Sequence, residues 1–431
     1  ALPRARASRM RRGLLLRDFL ERALYDRSSG YFSKEVIQSG QALAFKTFAS
    51  EKDYRLAVAQ QYAAAGRAWM TPVETFQPHY AEALARSMLQ THRARYPGEP
   101  LQILEVGGGN GTCAAGVLNY LRREAPATYA SSKYMLIEVS ERLAEAQRQR
   151  LLDEGLPSER WQVVHACAAQ WAEALEEPLP GPWFVLALEV LDNLPHDKVR
   201  ISAADADGDG AELWEARVVE HAGGRRAEEW SPLQDEDVTQ VVRLLGLDRP
   251  EAALELQRAL AARSDFGDQG ARLAVEMQNA LSHVLRLSGA DEAPHVFVPT
   301  GCYRLLCRVL AACPEHQLLL ADFDWLPPQP SGDVCAPVVQ MQQGGVGADL
   351  EGDYLAAPGE CDVMFPTHFA SIATLYAALT GRTAVPVRAV ELMARYADLE
   401  ATAAADGYNP LLEDFKNTRV LMTDWGDKEA A

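Results

Sequence analysis

The stretch ILEVGGGNGTCAAG, residues 103 to 116, limits the fold of this chain more than any other. Ile103 to Val106 is a mostly apolar run of strand length. Gly107, Gly108, Gly109 and Gly111 follow it, and Thr112 onward has helical character. Glycine lacks a Cβ and tolerates φ > 0, so such a turn lets a ligand approach the main chain closely. The same alternation continues downstream: YMLIEV, a helix over 140–154, WQVVHA, a helix near 169–176, and WFVLALEV. Mostly unbroken apolar strands alternating with helices predict a parallel sheet covered on both faces. In that architecture ligands sit at the carboxyl ends of the strands.

The ligand follows from what the loop lacks and what flanks it. No Gly-Lys-Ser/Thr follows the glycines, so this is not a phosphate loop of the nucleotide hydrolases. A dinucleotide fingerprint starting at Gly107 and Gly109 would place its third glycine at Thr112, but that glycine is Gly111. Glu105, an acid inside the end of an apolar strand, completes E-x-G-x-G-x-G, the first motif of class I S-adenosylmethionine-dependent methyltransferases. A buried carboxylate needs partners. The second strand ends in Glu138, placed to accept both ribose hydroxyls, and HACAAQW after the third strand is placed to lie along the adenine. The cofactor residues read from sequence are Glu105, Gly107, Gly109, Gly111 and Glu138; the alternative is a doubly wound fold that uses these glycines only for tight turns. After the fourth strand, LALEVLDNLPHD sets Glu189 and Asp192 at the substrate side. Two carboxylates there suit a guanidinium clamp and a proton acceptor. Acids at such a turn also serve as plain helix caps.

With 431 residues, 48 % of them apolar, the chain can bury a large core. The expected fold is α/β: a class I S-adenosylmethionine-dependent methyltransferase core, Rossmann-like, with a mostly parallel sheet and helices on both faces. Its expected division is a basic tail or transit-peptide remnant (1–15), an N-terminal helical region (16–100), the cofactor-binding core (101–196), an inserted α+β region of hairpin and helices (197–295), and a closing segment that completes the sheet and adds C-terminal helices (296–431). Helices are expected near 366–380 and 387–404. DADGDG, 205 to 210, imitates half a calcium loop, but the twelfth position is Ala216 where a glutamate is required, so it reads as an acidic hairpin turn. No metal site is expected. The seven cysteines include no CxxC pair and read as free thiols.

Sixty acidic against 42 basic side chains give a formal charge of −18. So acidic a surface repels phosphate backbones and anionic lipid, which makes direct nucleic-acid binding an unfavoured reading. No apolar run reaches the roughly 18 residues of a membrane span. The arginine-rich start, with no acid before Asp18, has the composition of an organellar address.

Several motifs together resemble the MidA-type family of mitochondrial methyltransferases, which includes the complex I assembly enzyme that methylates an arginine. They are FLERALYDRSSGYF, TPVETFQPHYAEAL, ILEVGGGNGT, YMLIEVSERLAEAQ, LALEVLDNLPHD, VPTG with LLLADFD, and GECDVMFPTHF, in order from about residue 16 to 380. The resemblance implies a cofactor site at Glu105, Gly107, Gly109, Gly111 and Glu138, a substrate-facing acid at Glu189, a wall at Asp192 to Pro195, and a mitochondrial matrix location. The chain departs from the family pattern at Leu188-Glu189, Ala68-Trp69-Met70 and Asp322-Phe323-Asp324, as a divergent branch would. The expected function is S-adenosylmethionine-dependent methylation of a side-chain nitrogen of a protein, with arginine one candidate that the departures weaken, tied to assembly of a respiratory or other organellar complex. The alternative is a non-catalytic scaffold or assembly subunit with the same fold. The partner is expected to be a protein, and a homodimer is compatible with the sequence.

Overall fold

Apolar strands too short to bury themselves singly are gathered here into one seven-stranded sheet. The computed structural model describes residues 13–34, 42–65, 71–203, 211–249, 252, 255–256, 295–327, 329–343, 346–356 and 358–424. The first seven strands in the chain are β1 (Leu14–Leu15), β2 (Gln102–Val106), β3 (Lys133–Glu138), β4 (Trp161–His165), β5 (Trp183–Leu188), β6 (Asp197–Ala203) and β7 (Ala211–Glu220). They are followed by β8 (Arg226–Pro232), β9 (Val296–Val298), β10 (His316–Phe323), β11 (Val338–Gln343), β12 (Val346–Asp349), β13 (Cys361–Met364), β14 (Val385–Arg388) and β15 (Thr418–Met422). The large sheet runs β14-β15-β10-β5-β2-β3-β4. From β4 to β10 all pairings are parallel, and β15 is antiparallel to both neighbours. The chain order reverses between β2 and β5, so the crevice outside their carboxyl ends is where a ligand belongs.

Side-chain alternation divides the core into two layers. Ile103, Phe184, Leu186, Leu319 and Ala321 pack on one face with Leu84 and Leu118. Leu104, Val106, Val185, Ala187, Leu318 and Leu320 pack on the other with Leu305 and Ile372. Period-two alternation on strands buried from both sides needs apolar residues at every position, which is how these segments read in sequence.

A smaller sheet, β1-β7-β6-β9 with β8 added to β7, and a third, β12-β11-β13, stand beside this core. β6 and β7 form the expected hairpin. The first helix, Leu16–Tyr25, buries Leu16, Leu20 and Leu24 against Phe297, Val339 and Phe365 of these elements. Arg17 pins it there: its guanidinium reaches Asp197 (2.7 Å) and Asp235 (2.5 Å).

Three sequence expectations are adjusted. The helix near 169–176 is a single 3-10 turn, Trp171–Ala174. The helix expected over 387–404 is two, Ala389–Tyr396 and Leu399–Thr402, broken at Ala397-Asp398 where Asp398 caps the second. Strands β14 and β15 were not foreseen. β14 carries Pro386 and lies at the sheet edge, the place where a strand tolerates a residue that donates no hydrogen bond. Residues 205–210, Ala68-Trp69-Met70 and most of 250–294 lie outside the described residues. All seven cysteines are free. Among the described residues no helix is long and apolar enough to cross a membrane.

Candidate active site

A cavity opens where β2 and β5 end. Its wall includes Gly107 and Gly109, Glu138, the small residues Cys167 to Ala169, and Glu189. Thus the structure brings together four residues singled out in the sequence: Gly107, Gly109, Glu138 and Glu189. Glu105, Gly111 and Asp192 stand outside the wall.

The glycine turn follows directly from β2. Gly107 has φ 69°, and a Cβ there would fall 2.7 Å from a Val190 methyl. Gly109 has φ 51° and faces the cavity. Gly111 caps the helix Thr112–Glu124 in a left-handed conformation. Glu105 is buried under this turn and accepts a hydrogen bond from the Tyr134 hydroxyl (2.9 Å). Burial pushes its carboxyl up to about 7, against the pull of Tyr134 and Cys113. Its place fits a support of the loop.

Glu138 is buried, and both of its carboxyl oxygens are engaged. One oxygen accepts from the Ser140 amide and the other from the Gln147 side chain, both at 2.9 Å. Burial still lifts it to about 7. The Gln147 amide group also donates to the Gly109 carbonyl (2.9 Å), tying the acid to the glycine turn. Sequence reading missed Gln147; its only signal is its place two helical turns after Ser140.

Glu189 differs in its backbone and in its partners. Its backbone is left-handed, φ 54°, a conformation costly for a non-glycine residue. Its two carboxyl oxygens are buried and have no hydrogen-bond partner. Burial, with the charge of Asp322 behind it, raises its pKa well above the ordinary value. Asp192 is also buried. Its own amide donates to Asp322 (3.0 Å), its carbonyl accepts from Phe365 (2.8 Å), and one of its carboxyl oxygens is unpartnered. Burial and the neighbouring Asp322, Asp362 and Glu189 raise its pKa.

Tyr25 and Phe32 form a roof that was legible only as part of a motif. Their rings stack at 5.4 Å and both line the cavity. The Tyr25 hydroxyl donates to the Asn193 carbonyl (2.9 Å), while the Asn193 amide group donates to Asp362 (2.8 Å). Segments more than 300 residues apart in sequence therefore meet at this wall.

These residues fit an adenosyl amino acid. The glycine turn leaves room for close main-chain approach. The Glu138 carboxyl takes donors from Ser140, Val139 and Gln147 and keeps acceptor capacity for a ribose hydroxyl. The Cys167–Ala169 wall is small and suits a flat base.

Residues 83–387 match the model of a family described as "Putative S-adenosyl-L-methionine-dependent methyltransferase". The chain belongs to this family. It is an S-adenosylmethionine-dependent methyltransferase, and S-adenosylmethionine is its cofactor. A crystal structure from Burkholderia thailandensis bound to S-adenosyl-homocysteine has a similar fold: TM-score 0.58, 18 % identity, covering 95 % of this chain and 87 % of that one. A native crystal structure from the same organism gives TM-score 0.53 and 17 % identity over 96 % and 87 %. Comparison with curated proteins finds no match.

Proposed function

We propose that this methyltransferase acts in the mitochondrial matrix on a side-chain nitrogen, arginine foremost, of a protein in a respiratory or other organellar complex. One observation carries the proposal: Glu189, a residue of the cavity wall, has a buried carboxyl with two unpartnered oxygens. A buried polar group without a partner is costly, and at a cavity wall a bound ligand is one way to supply the partner. A guanidinium offers two parallel N–H donors and the compensating charge. The pairing would pull the Glu189 proton equilibrium back toward the carboxylate.

When bound, S-adenosylmethionine supplies the electrophilic methyl group. Gly107 and Gly109 leave it room, Glu138 holds its ribose, and the Tyr25–Phe32 roof excludes water. Glu189 orients the substrate nitrogen and is placed to take its proton. The −18 charge supports a protein substrate over a nucleic acid. The arginine-rich start supports the mitochondrial address.

The test is transfer of tritium from methyl-labelled cofactor into a matrix extract from cells lacking the protein, followed by hydrolysis to amino acids. Label in methylarginine is expected. Label in base-labile esters, or label removed by ribonuclease, would contradict the reading.

A further inference from the structure

Asp322 has entered so far only as a neighbour of Glu189 and Asp192. It stands at the end of β10, beside the end of β5, in register one step past the Ala321–Leu188 pair. It is fully buried, at 0 % exposure. Among the described residues it has no cationic partner. Its carboxyl is instead filled by main-chain amides. One oxygen accepts from Asp192 (3.0 Å) and the other from Phe323 (2.7 Å), and the amides of Leu191 and Val190 also interact with it. Three successive amides turned onto one carboxyl form an anion-binding nest.

The turn that makes this nest starts at Glu189, the residue with φ 54°. The Glu189 amide is itself fixed by the Ala321 carbonyl (2.9 Å), the residue before Asp322. A left-handed glutamate persists only where its surroundings hold it there. The surroundings here are the end of β10.

We propose that Asp322 is the positioning residue of the site: its carboxyl is the template around which Val190 to Asp192 wrap, and this wrapping aims Glu189 into the cavity. The inference rests on the reading of Glu189 as the acceptor of a cation. Asp322 touches neither substrate nor cofactor; it acts through Glu189.

The test uses two cofactor analogues. Sinefungin carries an ammonium where the transferable methyl group sits, and S-adenosylhomocysteine carries nothing there. The ratio of their affinities reads the aim of Glu189 without needing a substrate or turnover. In the wild-type protein sinefungin should bind at least about tenfold tighter, the size of one charge-assisted contact. Glu189→Gln should bring the ratio to about one, with S-adenosylhomocysteine affinity kept within about threefold. Asp322→Ala should lower the ratio as far as Glu189→Gln does. Asp322→Asn, which keeps one acceptor oxygen, should recover part of it.

The competing account makes Asp322 a charge that merely repels Glu189. Removing that charge would then raise the ratio, because Glu189 would ionise more readily. A ratio that rises, or that stays at the wild-type value because both ligands weaken equally or not at all, overturns the proposal. If Glu189→Gln itself leaves the ratio unchanged, the cation reading fails instead, so the two failures are distinguishable. Amide hydrogen exchange on the wild-type protein needs no variant: slow exchange at Val190, Leu191 and Asp192 is expected, and fast exchange at these amides contradicts the nest.

Discussion

Glu138 and Glu189 end neighbouring parts of the same sheet, yet they are built in opposite ways. Glu138 is surrounded by donors from its own neighbourhood in sequence, Ser140 and Gln147. Glu189 has none, and the residues that shape its turn come from elsewhere in the chain. The cofactor half of the cavity is thus a finished, locally encoded cradle. The substrate half is an unfinished one, held open by long-range contacts from the first helix, β10 and β13. The difference suits their tasks: the cradle meets one constant ligand, while the acid waits for a charge that only the substrate supplies.

The comparison can be broken most severely at the glycine turn. Gly109→Val puts a branched side chain on a backbone of φ 51° facing the cavity. Calorimetry should show cofactor affinity lost by more than about 100-fold, about 3 kcal/mol. Near-normal binding would show that the cradle lies elsewhere.

The substrate half should fail through its anchors. Arg17 is buried and shared between Asp197 and Asp235. Arg17→Met leaves two acids without their cation, and chemical denaturation should show a loss of about 3 kcal/mol. A change below about 0.5 kcal/mol, the range of ordinary surface substitutions, would mean that the first helix is not held by this pair.

Proton linkage offers a third handle. Folding raises Glu105 and Glu138 from 4.5 to about 7, so the folded chain keeps protons that the unfolded chain has released. Their stabilisation is complete below the unfolded value and is lost as pH rises through the folded one. The cofactor-free protein should therefore melt higher at pH 5 than at pH 8, with on the order of 2–3 kcal/mol at stake per group. Glu105→Gln should flatten part of the slope. A melting temperature that rises over this range would contradict the burial described for these acids. The smallest effect is expected for Glu138→Gln, which keeps the size of the side chain and removes the charge: cofactor affinity should drop about tenfold.

The same contrast decides what the sequence shows. The glycine turn, Glu105 and Glu138 are readable because β–turn–α–β is a local pattern and each residue sits at a strand end. The two-faced sheet is readable because strands buried on both sides are apolar throughout. The roof of Tyr25 and Phe32, the Asn193–Asp362 bond and the Asp322 nest are not, because each joins segments 130 or more residues apart and none leaves a periodic trace. Asp192 shows the limit well: its spacing from Glu189 suggests a pair of acids facing one ligand, but of the two only Glu189 belongs to the cavity wall. Strand β14 was hidden by its proline, whose cost vanishes at an edge.

The most direct measurement on the central claim is the proton count when a cation arrives. Sinefungin and S-adenosylhomocysteine would be titrated near neutral pH in two buffers of different ionisation enthalpy. If Glu189 stands protonated in the empty site and pairs as a carboxylate, sinefungin should release close to one proton more than S-adenosylhomocysteine, and Glu189→Gln should abolish the difference. Equal proton release by the two ligands in the wild-type protein would contradict a protonated Glu189 that ionises on meeting the cation, and the substrate half would need another explanation.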